Sequence, residues 1–216
     1  MKTNNIRLIK RILMTVFGVS ICGLSVGLFS YSDLGLDPFQ VFAHGTWKLL
    51  PFFSFGTYYL LLNAVFLAVI FVVDHRKIGL GTVINLLLVG YMADFAEACL
   101  IRWLGPSVDH ALWFRVIVLA VGVVIMCLSA ALYFTADMGV STYDSIAIVL
   151  DEKKLIIIKR RAVPFKYIRI GTDLICVIIG GLLGATVGIG TLIAAFFMGP
   201  LISFFKKTVA EPILRG

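Results

Sequence analysis

Long runs of apolar residues, separated by short polar turns, extend along the whole chain. A helix needs about 20 such residues to cross about 30 Å of hydrocarbon, and six runs reach or approach that length: residues 9–31, 54–73, 79–101, 112–135, 168–187 and 189–205. Two further apolar segments, residues 36–50 and 140–150, are too short to cross. The pattern predicts an all-α membrane protein with six transmembrane helices and two re-entrant or interfacial half-helices.

Lysine and arginine are distributed unevenly between the two ends of these runs. Of the 19 Lys and Arg residues, 16 lie before residue 12, at 76–77, between 153 and 169, or after 205. Because basic loops are retained in the cytoplasm, six crossings place both termini there. A crossing by residues 36–50 would put the basic turn at 74–77 outside, so both short segments are interpreted as half-helices.

The second half of the chain repeats motifs of the first. DLGLDPFQ at 33–40 returns as DMGVSTYD at 137–144, 104 residues later, and GLGT at 79–82 returns as GIGT at 188–191, 109 residues later. A duplication predicts one membrane domain made of two repeats, residues 1–107 and 108–216. Each repeat has three spans, an odd number, so the second enters the membrane from the opposite side. Inverted repeats of this kind are typical of carriers.

Each repeated turn has the chemistry of a helix start, with a capping Asp37 or Ser141 after a glycine that permits a sharp bend. Helix N-termini present free N–H groups and a partial positive charge, so two that point inward would bind an anion or a carboxylate. The alternative is that both are surface turns, capped for stability alone. The candidate solute-binding residues of the turns and half-helices are Gly35, Asp37, Pro38, Gln40, His44, Gly139, Ser141, Thr142 and Asp144.

Asp173 and Asn63 are polar residues predicted to lie within spans, and both are further candidates for the solute site. Ionisable groups inside the membrane are costly, which makes Asp173 a functional candidate by default. Asn63 lies near the middle of the second span and is a candidate counterpart of Asp173 in the first repeat. The structural alternative for Asp173 is an i, i+4 ion pair with Arg169.

Composition and motif spacing exclude several classes of function. The chain is 60% hydrophobic with a net charge of +7, but its basic residues flank the spans, so no nucleic-acid partner is predicted. No Ser-His arrangement, Walker spacing or paired Cys or His spacing is present, so no enzyme activity, cofactor or metal is predicted. Besides the bilayer itself, the basic segment 153–169 is predicted to contact anionic lipid or a protein partner. The sequence does not decide whether the protein forms a homo-oligomer.

The pairing of DLGLDPFQ with the later GLGT and Gly90, repeated in the second half, resembles the YczE/YyaS/YitT family of bacterial integral membrane proteins. The resemblance covers nearly the whole chain and implies a multi-pass protein of the bacterial inner membrane, without implying a substrate. The leading hypothesis is a small secondary transporter that binds a small solute, with an anion or carboxylate favoured, at the repeat interface. The alternatives are a substrate-binding membrane subunit of a larger transporter and a non-transporting accessory membrane protein.

Overall fold

The computed structural model describes residues 2–53, 55–74, 78–139, 141–153, 157–158, 161–163, 165–185 and 187–215. Helices make up nearly all of this part of the chain. They are α1 (Lys2–Ser32), α2 (Pro38–Trp47), α3 (Phe55–Asp74), α4 (Leu80–Leu104), α5 (Leu112–Ala136), α6 (Thr142–Glu152), α7 (Phe165–Leu182), α8 (Ile189–Phe205) and α9 (Glu211–Arg215). Strand β1 (Ile157–Ile158) pairs antiparallel with β2 (Arg161–Ala162).

Within the described residues, helices long and apolar enough to cross a membrane cover Arg7–Ser32, Leu80–Leu104, Leu112–Ala136 and Ile189–Leu214. Helix α3 contains a shorter apolar stretch, Thr57–Val73. Helix α7 has 18 residues and carries Arg169 and Asp173 in its interior. The helical membrane class is therefore confirmed, whereas six crossings stay a prediction.

The last predicted span is longer than the sequence indicated. It was expected to stop at residue 205, but the helix continues through the π-helical turn Lys206–Ala210 as far as Leu214. The π turn keeps the backbone hydrogen-bonded past the basic pair Lys206 and Lys207, so the polar residues do not end the helix.

Helices α1 and α5 pack against each other at the centre of the fold. A Cβ built at Gly18 of α1 would lie 3.2 Å from the backbone nitrogen of Tyr133 in α5. A Cβ at Gly122 of α5 would lie 3.4 Å from the ring of Phe29 in α1. Residues 18 and 122, and residues 29 and 133, are both 104 apart. The same close contact is thus made twice, once from each half of the chain.

The first repeated turn packs against the start of α8, which belongs to the other half. The N–H of Gly190 donates to the carbonyl of Leu34 at 2.9 Å. Gly35 has a φ of 120°, a conformation that glycine adopts without steric cost. A Cβ at Gly188 would lie 2.0 Å from the Leu34 carbonyl oxygen. We call this contact the first clasp.

The second repeated turn packs against the start of α4 in the equivalent way. The N–H of Gly81 donates to the carbonyl of Met138 at 2.7 Å, and Gly139 has a φ of 99°. A Cβ at Gly79 would lie 2.2 Å from the Met138 carbonyl oxygen. This second clasp explains why the two glycine motifs of each half recur together in the sequence.

Candidate functional site

The half-helices α2 and α6 begin at one central cavity of about 80 Å³. Beside it the rings of Phe39 and Tyr143, which are 104 residues apart, stack with their centroids 4.8 Å apart and their planes at 12°. Polar side chains from both halves line the cavity: Asp37, Gln40, Tyr59, Asn63, Asn85, Tyr133, Ser141, Tyr143, Asp144 and Arg169.

Capping side chains engage N–H groups at the N-termini of both half-helices. The carboxylate of Asp37 accepts from the N–H groups of Phe39 at 3.1 Å and Gln40 at 3.3 Å. The hydroxyl of Ser141 accepts from the N–H of Asp144 at 3.1 Å and donates to the Asp144 carboxylate at 2.6 Å. The capping chemistry expected from the sequence is present. It occupies donors that an anion would need.

Arg169 of α7 bridges two buried carboxylates. Its Nη1 pairs with Asp144, and its Nε lies 3.3 Å from the carboxylate of Asp173. The exposed fractions of Arg169, Asp144 and Asp173 are 6%, 5% and 0%. With its acids ionised, this Arg169 cluster holds one positive and two negative groups. The i, i+4 contact considered for Asp173 is therefore present, but Asp144 extends it across two helices.

Tyrosine side chains complete the hydrogen bonding of the Arg169 cluster. The hydroxyl of Tyr143 donates to Asp173 at 2.5 Å, and that of Tyr133 donates to Asp144. The guanidinium carbon of Arg169 also lies 4.7 Å from the Tyr143 ring centroid, a distance at which cation–π attraction contributes. Satisfying each charge with several partners offsets the cost of burying it.

A separate hydrogen-bond chain ties α6 to α3. The hydroxyl of Thr142 donates to the side-chain oxygen of Asn63 at 2.6 Å, and the Asn63 amide donates to the carbonyl of Tyr59 at 2.8 Å. Asn63 is 6% exposed and lines the cavity. The middle of α3 therefore supplies a fixed polar group to the site.

The structure brings part of the sequence-predicted set to the cavity. Its members that line the cavity are Asp37, Gln40, Asn63, Ser141 and Asp144. The others lie behind it or elsewhere. Asp173 and Thr142 contact it through hydrogen-bond partners, Pro38 is buried at the first position of α2, and Gly35 and Gly139 form the clasps.

His44 lies away from this cavity. Its ring faces the edge of Trp47, with the centroids 6.2 Å apart, toward the opposite end of α2. It lines neither the central cavity nor the larger cavity beside the second clasp. The expectation that His44 faces a cavity has no support from either of them.

Sequence reasoning missed Arg169, Tyr133 and Tyr143 as site residues. The sequence offered Arg169 only as a structural partner of Asp173, whereas in the structure it lies inside α7, 6% exposed, and also pairs with Asp144. Its position one turn before Asp173 was the available signal. For Tyr143 the signal was its place opposite Phe39 in the repeated motif. The tyrosine hydroxyls carry no pattern of their own.

A second, larger cavity of about 750 Å³ lies beside the second clasp. It is lined by the third turn of α1, the starts of α4 and α7, the second half of α6, the end of α5 and the α8–α9 segment, and it shares Ile202 with the central cavity. We call this space the vestibule. The network of buried charges lies around the central cavity, which is therefore the better candidate for selective binding.

In the segment 153–169, predicted to contact anionic lipid, residues 154–156, 159–160 and 164 lie outside the described residues, as do residues 75–77 of the basic turn at 74–77. Lys153, at the end of α6, is described, and its ammonium donates to the carbonyl of Val73. Lys48, at the end of α2, donates in the same way to the carbonyl of Gly184. Both half-helices therefore end at a lysine that binds a backbone carbonyl of the other half.

Comparison with known proteins identifies the family. A protein of Haemophilus influenzae named "Uncharacterized protein" is 26% identical over 202 residues, covering 94% of this chain and 86% of that protein. The "Uncharacterized membrane protein YczE" of Bacillus subtilis is 21% identical over 193 residues, covering 89% and 80%. No solved structure matches. Residues 9–207 match DUF6198, a family of unknown function, so the chain belongs to that family and the expected likeness to YczE is confirmed.

Proposed function

We propose that the protein is a small secondary carrier of the bacterial inner membrane. Six helices would cross as two inverted halves, both termini would lie in the cytoplasm, and a small solute would bind in the central cavity. The observation that carries this proposal is the convergence of both half-helix N-termini on one buried, charged cavity. Carriers with inverted repeats bind their solutes at such a junction of discontinuous helices.

Residues that meet their own equivalents support a two-fold relation between the halves. Phe39 stacks on Tyr143, and the sulfur of Cys22 lies 3.6 Å from that of Met126. Both pairs are 104 residues apart, the offset of the repeated turns. A residue can touch its own equivalent only close to the axis that relates two halves. The central cavity, which Cys22, Met126, Phe39 and Tyr143 all line, therefore lies near that axis.

The charges around the cavity favour a cation over the anion or carboxylate that the sequence suggested. Arg169, the guanidinium at the cavity, is already paired with Asp144 and Asp173. Asp37 accepts backbone hydrogen bonds but pairs with no cationic side chain among the described residues. A small cation beside Asp37 would reduce the excess negative charge of the carboxylates, whereas an anion would add to it.

The size and the lining of the cavity further restrict which class of cation it can bind. A volume of about 80 Å³ holds only a few water molecules, so the cavity fits a molecule of few heavy atoms. In the described part of the chain, no three His, Cys, Asp or Glu side chains are arranged to hold a metal ion. A small protonated amine is the solute class we propose.

Thermal unfolding of the purified protein in detergent, with methylammonium or ethanolamine added, tests this proposal. A ligand at a hundredfold excess over its Kd stabilises by about 2.7 kcal/mol, which corresponds to roughly 5–10 °C in Tm for a chain of this size. We expect such a shift with the amines and none with acetate. Asp37→Asn should abolish it, because asparagine still caps the helix but removes the charge.

The matched control is Asp109→Asn, which removes the same charge from an exposed position in the 3₁₀ turn Ser107–Asp109. It should keep the full amine-dependent shift. Stabilisation by acetate instead of the amines, or an amine shift that Asp37→Asn leaves intact, would contradict a cation site at Asp37.

A further inference from the structure

Two equivalent arginine–aspartate combinations flank the fold, one beside each clasp. Arg11 and Arg115 are 104 residues apart; Arg11 lies in the third turn of α1 and Arg115 near the start of α5. Asp33 and Asp137 are also 104 apart and follow the ends of the same two helices. Both aspartates have a left-handed backbone conformation, with φ values of 49° and 51°. The two sides of the protein therefore carry the same charged groups on the same backbone.

On the side of the first clasp, the arginine and the aspartate form an ion pair. Nη2 of Arg115 lies 3.0 Å from the carboxylate of Asp33 and donates to its carbonyl at 2.8 Å. Nε of Arg115 donates to the carbonyl of Ser32 at 2.8 Å. These bonds fasten the start of α5 to the end of α1 and cover Ser32, which is 0% exposed.

On the side of the second clasp, the equivalent arginine and aspartate are not paired with each other. Arg11 and Asp137 both line the vestibule, and neither side chain forms an ion pair or hydrogen bond with another described residue. Asp33 and Asp137 have the same left-handed backbone, but a cavity of about 750 Å³ lies beside Arg11 and Asp137. The vestibule therefore occupies the position at which the other side has the Asp33–Arg115 ion pair.

We propose that Asp33–Arg115 and Asp137–Arg11 are alternative latches, one for each side of the carrier. In the state seen here the first latch is closed and the vestibule is open. When Asp33 and Arg115 separate, Arg11 would reach Asp137 and close the vestibule. This inference rests on the proposed carrier function, and it assigns the charged pairs a role in setting which side is open.

The exposure of the closed latch makes it suitable for switching. The side chains of Asp33 and Arg115 are 61% and 18% exposed, and such partly exposed pairs bias an equilibrium only modestly. Loss of one pair typically changes an equilibrium constant by roughly two- to fivefold. A latch of this strength favours one state without trapping it.

Thiol labelling at Ser32→Cys measures how often the first side opens. The reporter is a conservative change at a buried position, so its labelling rate is proportional to the opened fraction. The half-exposed Cys99 would be replaced by alanine, since the other three cysteines are buried. We expect Asp33→Asn to speed labelling by roughly two- to fivefold, and Arg11→Gln in that protein to return the rate toward its starting value.

The second substitution separates a latch from local loosening. Asp33→Asn could free Ser32 simply by weakening Arg115, but a change at Arg11, beside the other clasp, would not reverse that effect. Lys206→Gln is the matched control, because Lys206 also lines the vestibule and should leave the faster rate unchanged. Size-exclusion chromatography checks that each variant is folded.

An unchanged rate in Asp33→Asn, or a faster rate that Arg11→Gln does not reverse, would show an ordinary surface ion pair and overturn the proposal. The experiment needs no solute. It therefore fails or succeeds independently of amine binding at Asp37, and the two outcomes can be told apart.

Discussion

Replacement of Arg169 by glutamine is expected to lower the stability of the protein more than either aspartate substitution in the same cluster. It would leave the carboxylates of Asp144 and Asp173, which are 5% and 0% exposed, without their shared counter-charge. Removing one partner of a buried ion pair typically costs about 3–5 kcal/mol. Thermal unfolding in detergent would measure this as a large fall in Tm or as failure to purify a folded protein.

The cluster has two carboxylates and one guanidinium, and this ratio provides a control for the prediction. Asp173→Asn leaves Arg169 paired with Asp144 alone, a neutral pair, so its loss of stability should be clearly smaller. Combining Arg169→Gln with Asp173→Asn removes one of the two stranded carboxylates, so the double variant should be more stable than Arg169→Gln alone. Additive losses in the double variant would mean that the three residues do not act as one charge-balanced cluster.

Gly79→Ala and Gly188→Ala are expected to disrupt the second and first clasps. The new Cβ atoms would lie 2.2 Å and 2.0 Å from carbonyl oxygens of the opposing turns. These are backbone atoms held by the clasp hydrogen bonds, so relief requires the turn to move away from the helix start. Overpacking of this kind costs about 1–3 kcal/mol or more, and we expect Tm to fall accordingly in both variants.

Gly90→Ala is the matched control for the clasp substitutions. Gly90 lies within α4, on the same helix that Gly79 precedes, and no heavy atom lies within 4 Å of its Cβ position. Alanine is favoured over glycine in a helix interior by about 1 kcal/mol, so Tm should stay level or rise. Equal Tm values for Gly79→Ala and Gly90→Ala would show that the clasp does not depend on close backbone approach.

The sequence predicted the turns well because their chemistry is local. Asp37 followed by Pro38 defines a helix start regardless of what surrounds it, and Ser141 caps α6 through a residue three positions away. The recurrence of glycine at 35 and 139 indicated sharp bends, and both residues have positive φ. Features set by neighbours along the chain were therefore accessible before the structure.

The composition of the site depended on contacts between distant segments, and there the sequence was less informative. Arg169 meets Asp144 across 25 residues, a contact between two helices that no local pattern predicts. The preference for an anion assumed free N–H groups at both half-helices. The caps Asp37 and Ser141, themselves predicted from the sequence, occupy some of these donors.

The two repeated turns share positive φ values at aspartate and glycine, but the residues that follow them supply different polar groups to the site. Gln40 and Asp144 occupy equivalent positions, as do Phe39 and Tyr143. In each pair the second half supplies the group that joins the Arg169 cluster. In our proposal the first half supplies Asp37, a carboxylate without a cationic partner among the described residues. The second half supplies the Arg169 cluster, whose charges are paired with one another.

The opposite orientation of the two halves is the central claim, and labelling at the ends of the half-helices tests it most directly. Lys48 and Lys153 are exposed, and they end α2 and α6. In a Cys99→Ala background, an impermeant thiol reagent should label Lys48→Cys in intact cells and Lys153→Cys only after permeabilisation. Labelling of both from the same side would show that the halves are parallel, and would contradict the carrier account.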